Sequence, residues 1–323
     1  MKIIFIFGSI NMDLSIECSR LPAKGETLQG RSFLESPGGK GANQAVSAAK
    51  TSFPCEKAGE PFDKVPKTGQ TKVYMIARVG NDRLGAAVIE TLRSYNVDTT
   101  HILQDGSSTG VAVIVRSEGD NRIICDYGAN HEIDSSYAIE VLQKNAKAGD
   151  IFLTQLECRP EEVFATLVEA KRLGLVTIFN PAPAMSLPAE LYKHIDYIVV
   201  NQTECAMLTG IHPKTAEESY PALDYFREQG VANPIITLGE LGSVWHGVHY
   251  LSVPVDVVDT TAAGDAYIGA FASSLAAGKQ EDSALGNATL AAAITITRLG
   301  AQQAVPTLEE IEEFGIQLRT KGL

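Results

Sequence analysis

The sequence has no CxxC pair. Its five cysteines (Cys18, Cys55, Cys125, Cys158 and Cys205) are scattered through 323 residues. An odd number of dispersed thiols in a chain this long reads as free cysteines in a reducing compartment, not as a disulfide framework. No apolar run reaches the ~18 residues that a membrane helix needs, so no membrane partner is expected. The opening MKIIFIFGSI lacks the small-residue cleavage site of a signal peptide and reads as a first strand. A cytoplasmic location is expected, with the nucleus open to it in a eukaryote.

Positive charge is also scarce. The 27 Lys and Arg face 39 Asp and Glu, for a net charge of −12. A nucleic-acid binder needs a basic face, and this balance argues against one. A phosphorylated ligand stays open, because backbone amides and metal ions can supply positive potential. The six histidines show no HExxH or other metal spacing. The dinucleotide fingerprint GxGxxG and the phosphate loop GxxxxGK[ST] are both missing, so an enzyme using ATP must hold its phosphates some other way.

What the chain does hold is a repeated alternation of apolar runs and helical patterns. IIFIFG (3–8), KVYMIARVG (72–80), DIFLTQLE (150–157), LVTIFNPAP (175–183), DYIVVNQTE (196–204) and NPIITLGELG (233–242) read as buried strands. Segments such as EEVFATLVEAKRLG (161–174) read as the helices between them. The fold class expected is α/β, one domain over 1–323 with a mainly parallel sheet covered by helices on both faces. Two segments break the rhythm and read as a small antiparallel β lid, about 11–36 and 96–128, with a hairpin loop at Ser117–Asn121. Residues 50–71, rich in Pro, Gly, Lys and Thr, read as a surface-loop insertion. The predicted strands end in polar residues: Glu157, Asn180, Asn201, Thr237. In open α/β sheets, ligands bind beyond such strand ends.

Two turns carry the chemistry. In SPGGKGANQA (36–45), Gly38, Gly39 and Gly41 allow backbone shapes and approaches that a Cβ would block, just before an Ala-rich helix. In DTTAAGDAYIGAF (259–271), Ala262, Ala263 and Gly264 precede a helix running from about Asp265 to Ala276. Small residues there bare the amides at the positive end of the helix dipole, a socket for an anion or for developing charge. Asp265 at its mouth can take a proton from a hydroxyl that attacks that anion. An N-cap role would explain the Asp but not the bare AAG before it.

Together these turns resemble the signature regions of the ribokinase (pfkB-type) family of carbohydrate kinases. GSINMD, TGVAVI, QLE, NPAP, VVNQTE, TLGELG and TRLGAQ extend the resemblance, in order, over nearly the whole chain outside 50–71. The resemblance implies ATP-dependent phosphorylation of D-ribose at its 5-hydroxyl, giving D-ribose 5-phosphate and ADP. It implies that Asn11, Asp13, Gly38, Gly39, Lys40, Asn43 and Glu157 hold the sugar and that Asp265 is the general base. Ala262, Ala263 and Gly264 would form the anion hole. Asn201 and Glu204 match the family's NxxE motif, which organises Mg²⁺ and its waters. Thr237, Leu238, Gly239, Glu240, Leu241 and Gly242 would border ATP together with Gly264, with Thr289 close to the adenine. Asp259, Thr261, Thr295, Arg298 and Gly300 match the family's K⁺ site, and Ala304 stands where many members have Ser near that cation. A homodimer formed through the lid is expected. Other acceptors (deoxyribose, fructose, adenosine) and a non-catalytic sugar or nucleotide sensor are the rival readings, and an Asp265→Asn variant separates enzyme from sensor.

Overall fold

A computed structural model describes residues 2–52, 71–105, 107–117 and 120–321. In chain order the elements are β1 (Ile3–Phe7), β2 (Asn11–Glu17), β3 (Arg31–Gly38), α1 (Lys40–Lys50), β4 (Lys72–Val79), α2 (Arg83–Ser94), β5 (Ile102–Gln104), β6 (Gly110–Ser117) and β7 (Asp120–Asp126). Then come α3 (Ser135–Asn145), β8 (Ile151–Thr154), α4 (Pro160–Arg172), β9 (Val176–Phe179), β10 (Tyr197–Asn201), α5 (Gln202–Thr209), α6 (Ala216–Glu228) and β11 (Asn233–Thr237). The chain closes with β12 (Ser243–Trp245), β13 (Val248–Tyr250), α7 (Ala263–Ala276), α8 (Glu281–Thr295) and α9 (Leu308–Lys321).

The large sheet runs β13-β12-β11-β10-β9-β8-β1-β4-β5, parallel from β11 to β5 with an antiparallel end. Strand β1 shows why its sequence is apolar without interruption. Ile4 and Ile6 point into one core, and Phe5 and Phe7 into the core on the other face. The period-2 alternation of a strand then leaves no position for a polar side chain. From β1 the chain builds outward through β4 and β5 on one side and through β8 to β11 on the other. That reversal makes the β1/β8 boundary a topological switch point, where a crevice opens beyond the strand ends.

Each predicted strand begins within one residue of its expected start and ends early. Gln155–Glu157, Asn180 and Thr203–Glu204 lie in the turns or helix that follow, and the 233–242 strand stops at Thr237. Beyond it Gly239 and Gly242 take positive φ (60° and 98°) and turn the chain back into β12. An added Cβ at Gly242 would come 2.0 Å from the Tyr250 carbonyl oxygen, so the turn admits only glycine there.

The small sheet has the order β3-β2-β6-β7. Two antiparallel pairs are joined by one parallel pairing, β2 with β6. The lid boundary at residue 96 needs correction. Ile102–Gln104 pairs with β4 in the large sheet, so the second half of the lid begins near Gly110. Of the expected 50–71 insertion, 53–70 lie outside the described residues. The hairpin loop at 117–121 is described only as far as its flanking strands, β6 and β7. Among the described residues, no helix is long and apolar enough to cross a membrane.

Candidate active site

Helices α1 and α7 cross with almost no side chain between them. An added Cβ on Gly269 of α7 would lie 2.4 Å from Ser47 Cβ and 2.6 Å from the Gln44 carbonyl oxygen. Ser47 Oγ donates to the Ala266 carbonyl oxygen across the same contact (2.8 Å). This approach, made possible by small residues, brings the start of α7 against the glycine turn that opens α1. Asp265 is buried there. Its Oδ2 accepts from Asn43 Nδ2 (3.1 Å) and its Oδ1 from Gln44 Nε2 (2.9 Å). It is not the N-cap of α7. That position is Ala262, in the left-handed region at φ 59°, with Asp265 in the first turn behind it. A non-glycine residue there costs about 1–2 kcal/mol, a strain held in place by its surroundings.

The glycine turn is packed backbone to backbone. Gly39 caps α1 at φ 88°, and a Cβ on Gly41 would meet Ser9 N at 2.6 Å and Gly8 C at 2.7 Å. Glu157, just past β8, fastens this turn to the sheet: its Oε2 accepts from Ser9 Oγ (2.5 Å) and from the Lys40 amide (3.0 Å). The lid supplies the facing wall. Asp13 pairs with Ser36 and Ala112, and Ala112 pairs with Cys125, so one cross-strand row places these four residues on a shared face. A Cβ on Gly38 would touch Asp13 Oδ2 at 2.5 Å, so the carboxylate lies directly over the turn. Burial, then the charge of Glu157, pushes Asp13 up to about 6. Burial, then Glu157 and Asp13, also raises the Cys125 thiol. Asn11 is held by Asn130, whose Nδ2 donates to Asn11 Oδ1 (2.7 Å) and to the Ile10 carbonyl oxygen (3.1 Å).

On the other side of Asp265 lies a cleft of about 190 Å³, bordered by Lys40, Asn180, Asn201, Glu204, Thr237 and the 262–265 turn. An added Cβ at Gly264 would meet nothing within 4 Å, so the cleft is open over the helix start. The first amides of any helix lack intrahelical partners, and the dipole makes this end positive. The charge of Asp265 holds the Lys40 ammonium above its ordinary range against the opposing effect of burial, and Glu157 and Glu204 add to it. The NxxE pair is a capping box. Asn201 Oδ1 accepts from the Glu204 amide and Glu204 Oε2 from the Asn201 amide, both at 2.9 Å. Burial raises Glu204, while the Asn201 amide and Lys40 act to lower it.

The remaining sequence candidates lie further out. Gly239, Glu240 and Leu241 form the turn beyond β11, whereas the Leu238 side chain is buried in the core and leaves only its backbone for a ligand. Thr289 lies in α8, outside the cleft lining, with its hydroxyl on the Leu285 carbonyl oxygen. Asp259 Oδ1 accepts from Thr261 N and Oγ1, and Oδ2 from Gly300 N. Burial would raise Asp259, but these bonds outweigh it and hold it low. The same loop meets the 296–300 turn through Val258 N on the Ile296 carbonyl oxygen (2.8 Å), while the Thr295 carbonyl oxygen accepts from Arg298 N. The oxygens of this region are hard ligands of the kind a monovalent cation takes. The carboxylate is already stabilised by protein donors, so the residues fit K⁺ without requiring it. The Asn201–Glu204 pair likewise offers only oxygen to a hard divalent cation, which suits Mg²⁺ through water. Among the described residues, no group of three or more His, Cys, Asp and Glu clusters as a metal site.

Sequence reasoning missed Ser9, Gln44, Asn130, Gln155 and the orientation of Cys125. Their residue types carry no signature; the one hint was a pair of amides, Asn43-Gln44, inside a run of small residues.

The chain matches the pfkB family of carbohydrate kinases over residues 1–308. A ribokinase from Bacillus subtilis is 36% identical over 318 residues, covering 97% of this chain and 99% of the relative. A deoxyribokinase from Salmonella typhi is 32% identical over 318 residues, covering 96% and 98%. The solved ribokinase of Arabidopsis thaliana, in complex with ribose and ATP, superposes with a TM-score of 0.84 at 30% identity, covering 97% of this chain and 98% of that one.

Proposed function

The chain belongs to the pfkB family of carbohydrate kinases, and from that premise we propose that it transfers the γ-phosphoryl group of ATP to the 5-hydroxyl of D-ribose. The observation that carries this reading is the position of Asp265. The side-chain amides of Asn43 and Gln44 in α1 hold it on one side, and on the other it borders the cleft with Lys40, Asn201 and Glu204.

In this reading Asp13, Asn11 and Glu157 receive the sugar hydroxyls under the lid, since a carboxylate can accept from two neighbouring hydroxyls. Asp265 takes the proton of the 5-hydroxyl as that oxygen attacks the γ-phosphorus. The new O–P bond forms as the bond to the β-phosphate oxygen breaks, and ADP leaves with the electron pair. Such transfer asks chiefly for positioning and charge stabilisation. The amides of the 262–264 turn and the Lys40 ammonium face the charge that develops. Mg²⁺, held through water by Asn201 and Glu204, would neutralise phosphate charge. K⁺ at Asp259 and the carbonyls of Thr261, Thr295, Arg298 and Gly300 would keep the adjoining loop in shape. We also propose a homodimer formed through the lid.

The test is ADP release from Mg-ATP with D-ribose, deoxyribose, fructose or adenosine, in K⁺ or in Na⁺. Ribose-dependent release, lost in Asp265→Asn with ribose binding retained, is the expected outcome. Deoxyribose is the second reading, favoured by the 32% identity to a deoxyribokinase. A higher kcat/KM with deoxyribose would replace the substrate and keep the chemistry. Folded protein that binds ribose but releases no ADP would overturn the enzyme reading.

A further inference from the structure

A side-chain amide has two faces, a donor and an acceptor, and turning it over exchanges them. Asp265 sits between two such amides, and both present the donor face. Turned over, either would set a carbonyl oxygen against a carboxylate in a buried site. Something must choose the face, and the structure contains a chain of contacts that does so.

One arm starts at a group that can only accept. The Val199 carbonyl oxygen takes the Asn180 Nδ2 hydrogen (3.0 Å), which turns Asn180 Oδ1 toward Gln44. Gln44 Nε2 donates there (3.2 Å) and to Asp265 Oδ1 (2.9 Å). Its Oε1 then faces the other way and accepts from Gln155 Nε2 at 2.6 Å. In the other arm Gln302 Nε2 donates to Asn43 Oδ1 (3.2 Å), which leaves Asn43 Nδ2 for Asp265 Oδ2 (3.1 Å). Every member is buried; Gln44 is 0%, Gln155 1% and Gln302 2% exposed. The two terminal oxygens, Gln155 Oε1 and Gln302 Oε1, have no partner among the described residues. The polarity of the relay thus leaves buried acceptors short and not buried donors, the less costly arrangement.

We propose that Gln302 and Gln155 are positioning residues for phosphoryl transfer: each donates to the oxygen of the amide beside Asp265 and so fixes that amide's donor face on the carboxylate. The proposal rests on the reading of Asp265 as the base. The arms are unequal. Gln44 is oriented by both Asn180 and Gln155, whereas among the described residues the Gln302 contact alone sets the face of Asn43. Gln302 is therefore the more sensitive position, although neither of its amide atoms bonds to Asp265. The charge of Asp265 acts on Lys40 of α1 and on Glu204 of α5, and both remain in place in the variants below.

The experiment is the pH profile of kcat for Gln302→Met, Gln302→Glu and Gln155→Met in the full chain, beside Asp265→Asn. Losing the lock lets Asn43 turn its oxygen to the base, which makes the ionised base harder to form. The acid limb of the profile moves toward neutral pH by about one unit, so the rate at a pH on that limb falls about tenfold while the plateau changes less. Gln302→Glu has the same shape and, when ionised, can only accept; it reverses Asn43 and also adds a charge near the base, so its displacement is the larger and bounds the effect of reversal from above. Gln155→Met gives the smaller one, because Asn180 still holds Gln44. If the apolar replacement at 302 does not fold, Gln155→Met decides the matter, because the added charge of the Glu variant would move the limb in either case. Folded variants whose acid limb stays where it was, even with a lower plateau, would show a packing role and overturn the proposal. Turnover in Asp265→Asn would instead overturn the reading of the base, so the two failures are distinct.

Discussion

Asp13 of the lid and Glu157 of the large sheet bring two carboxylates to one site, and burial followed by the Glu157 charge pushes Asp13 up to about 6. The ligand-free protein bears a cost for this. Asp13 in the fold holds its proton to higher pH than the ordinary 3.8. Its contribution to stability is therefore greatest below that value and is lost as pH rises through about 6. The difference corresponds to roughly 3 kcal/mol at neutral pH. Asp13→Asn should raise the melting temperature of the ligand-free chain at pH 7.5, by the equivalent of at most about 3 kcal/mol. It should do little at pH 4, and it should abolish sugar affinity at pH 7.5. Melting curves at the two pH values check this; a variant less stable than the parent at pH 7.5 would refute it.

The two turns were legible because they are built from residues that sequence marks plainly. Gly39 and Gly41 occupy a place where a Cβ has no room, and Ala262–Gly264 leave a helix start bare. The strands were legible from β1 onward because a strand covered on both faces must be apolar throughout. Their ends were not, since Gln155 and Glu157 continue the pattern of β8 in sequence while making turn contacts in space. Asn201 and Glu204 spell a capping box, a local signature that the sequence carried in full and that explains their pairing without any ligand. The amides around Asp265 were not legible at all. A buried Gln302 looks like a surface one until α1, α7 and the 300–304 segment are known to meet.

Gly269 shows that the base depends on a contact that involves no substrate. A methyl group there meets Ser47 Cβ and the Gln44 carbonyl, and a backbone carbonyl cannot move aside cheaply. Gly269→Ala should separate α1 from α7 and cost about 1–3 kcal/mol of stability. It should also lower kcat, because Asn43 and Gln44 move away from Asp265. Denaturant melts together with kcat at saturating substrate check both; full stability with full activity would mean that the helices adjust without cost.

Glu204 serves a helix and a cleft at once, and the two roles can be separated. Glu204→Gln keeps an oxygen to accept from the Asn201 amide, so α5 stays capped and the melting temperature stays near that of the parent. The variant removes the negative charge that faces Lys40 and the cleft. The Mg²⁺ concentration for half-maximal rate should rise several-fold, and with it the KM for ATP. A magnesium titration at fixed ribose reads this directly. An unchanged half-saturation point would leave Glu204 as a capping residue only.

The lid exposes more apolar surface than its own packing explains. Ile124 is 71% and Val113 37% exposed, and they are cross-strand partners on the face away from Asp13. Leu34 and Ile123 are 54% and 57% exposed, in a row on the same face as Asp13. Among the described residues, β3 and β7 are the outer strands of the small sheet, the positions where pairing with a second copy would extend it. Light scattering at micromolar concentration should therefore give about twice the chain mass of 34.6 kDa. Ile124→Lys should halve it, because a charge placed in that row cannot be buried against a partner without cost. The position lies on the side of the lid away from Asp13, so sugar affinity in the resulting monomer reports on the partner and not on the substitution. A single-chain mass for the unaltered protein would sink the dimer reading. A dimer that survives Ile124→Lys would move the interface to the row of Leu34 and Ile123, where a partner would help to cover the sugar site itself.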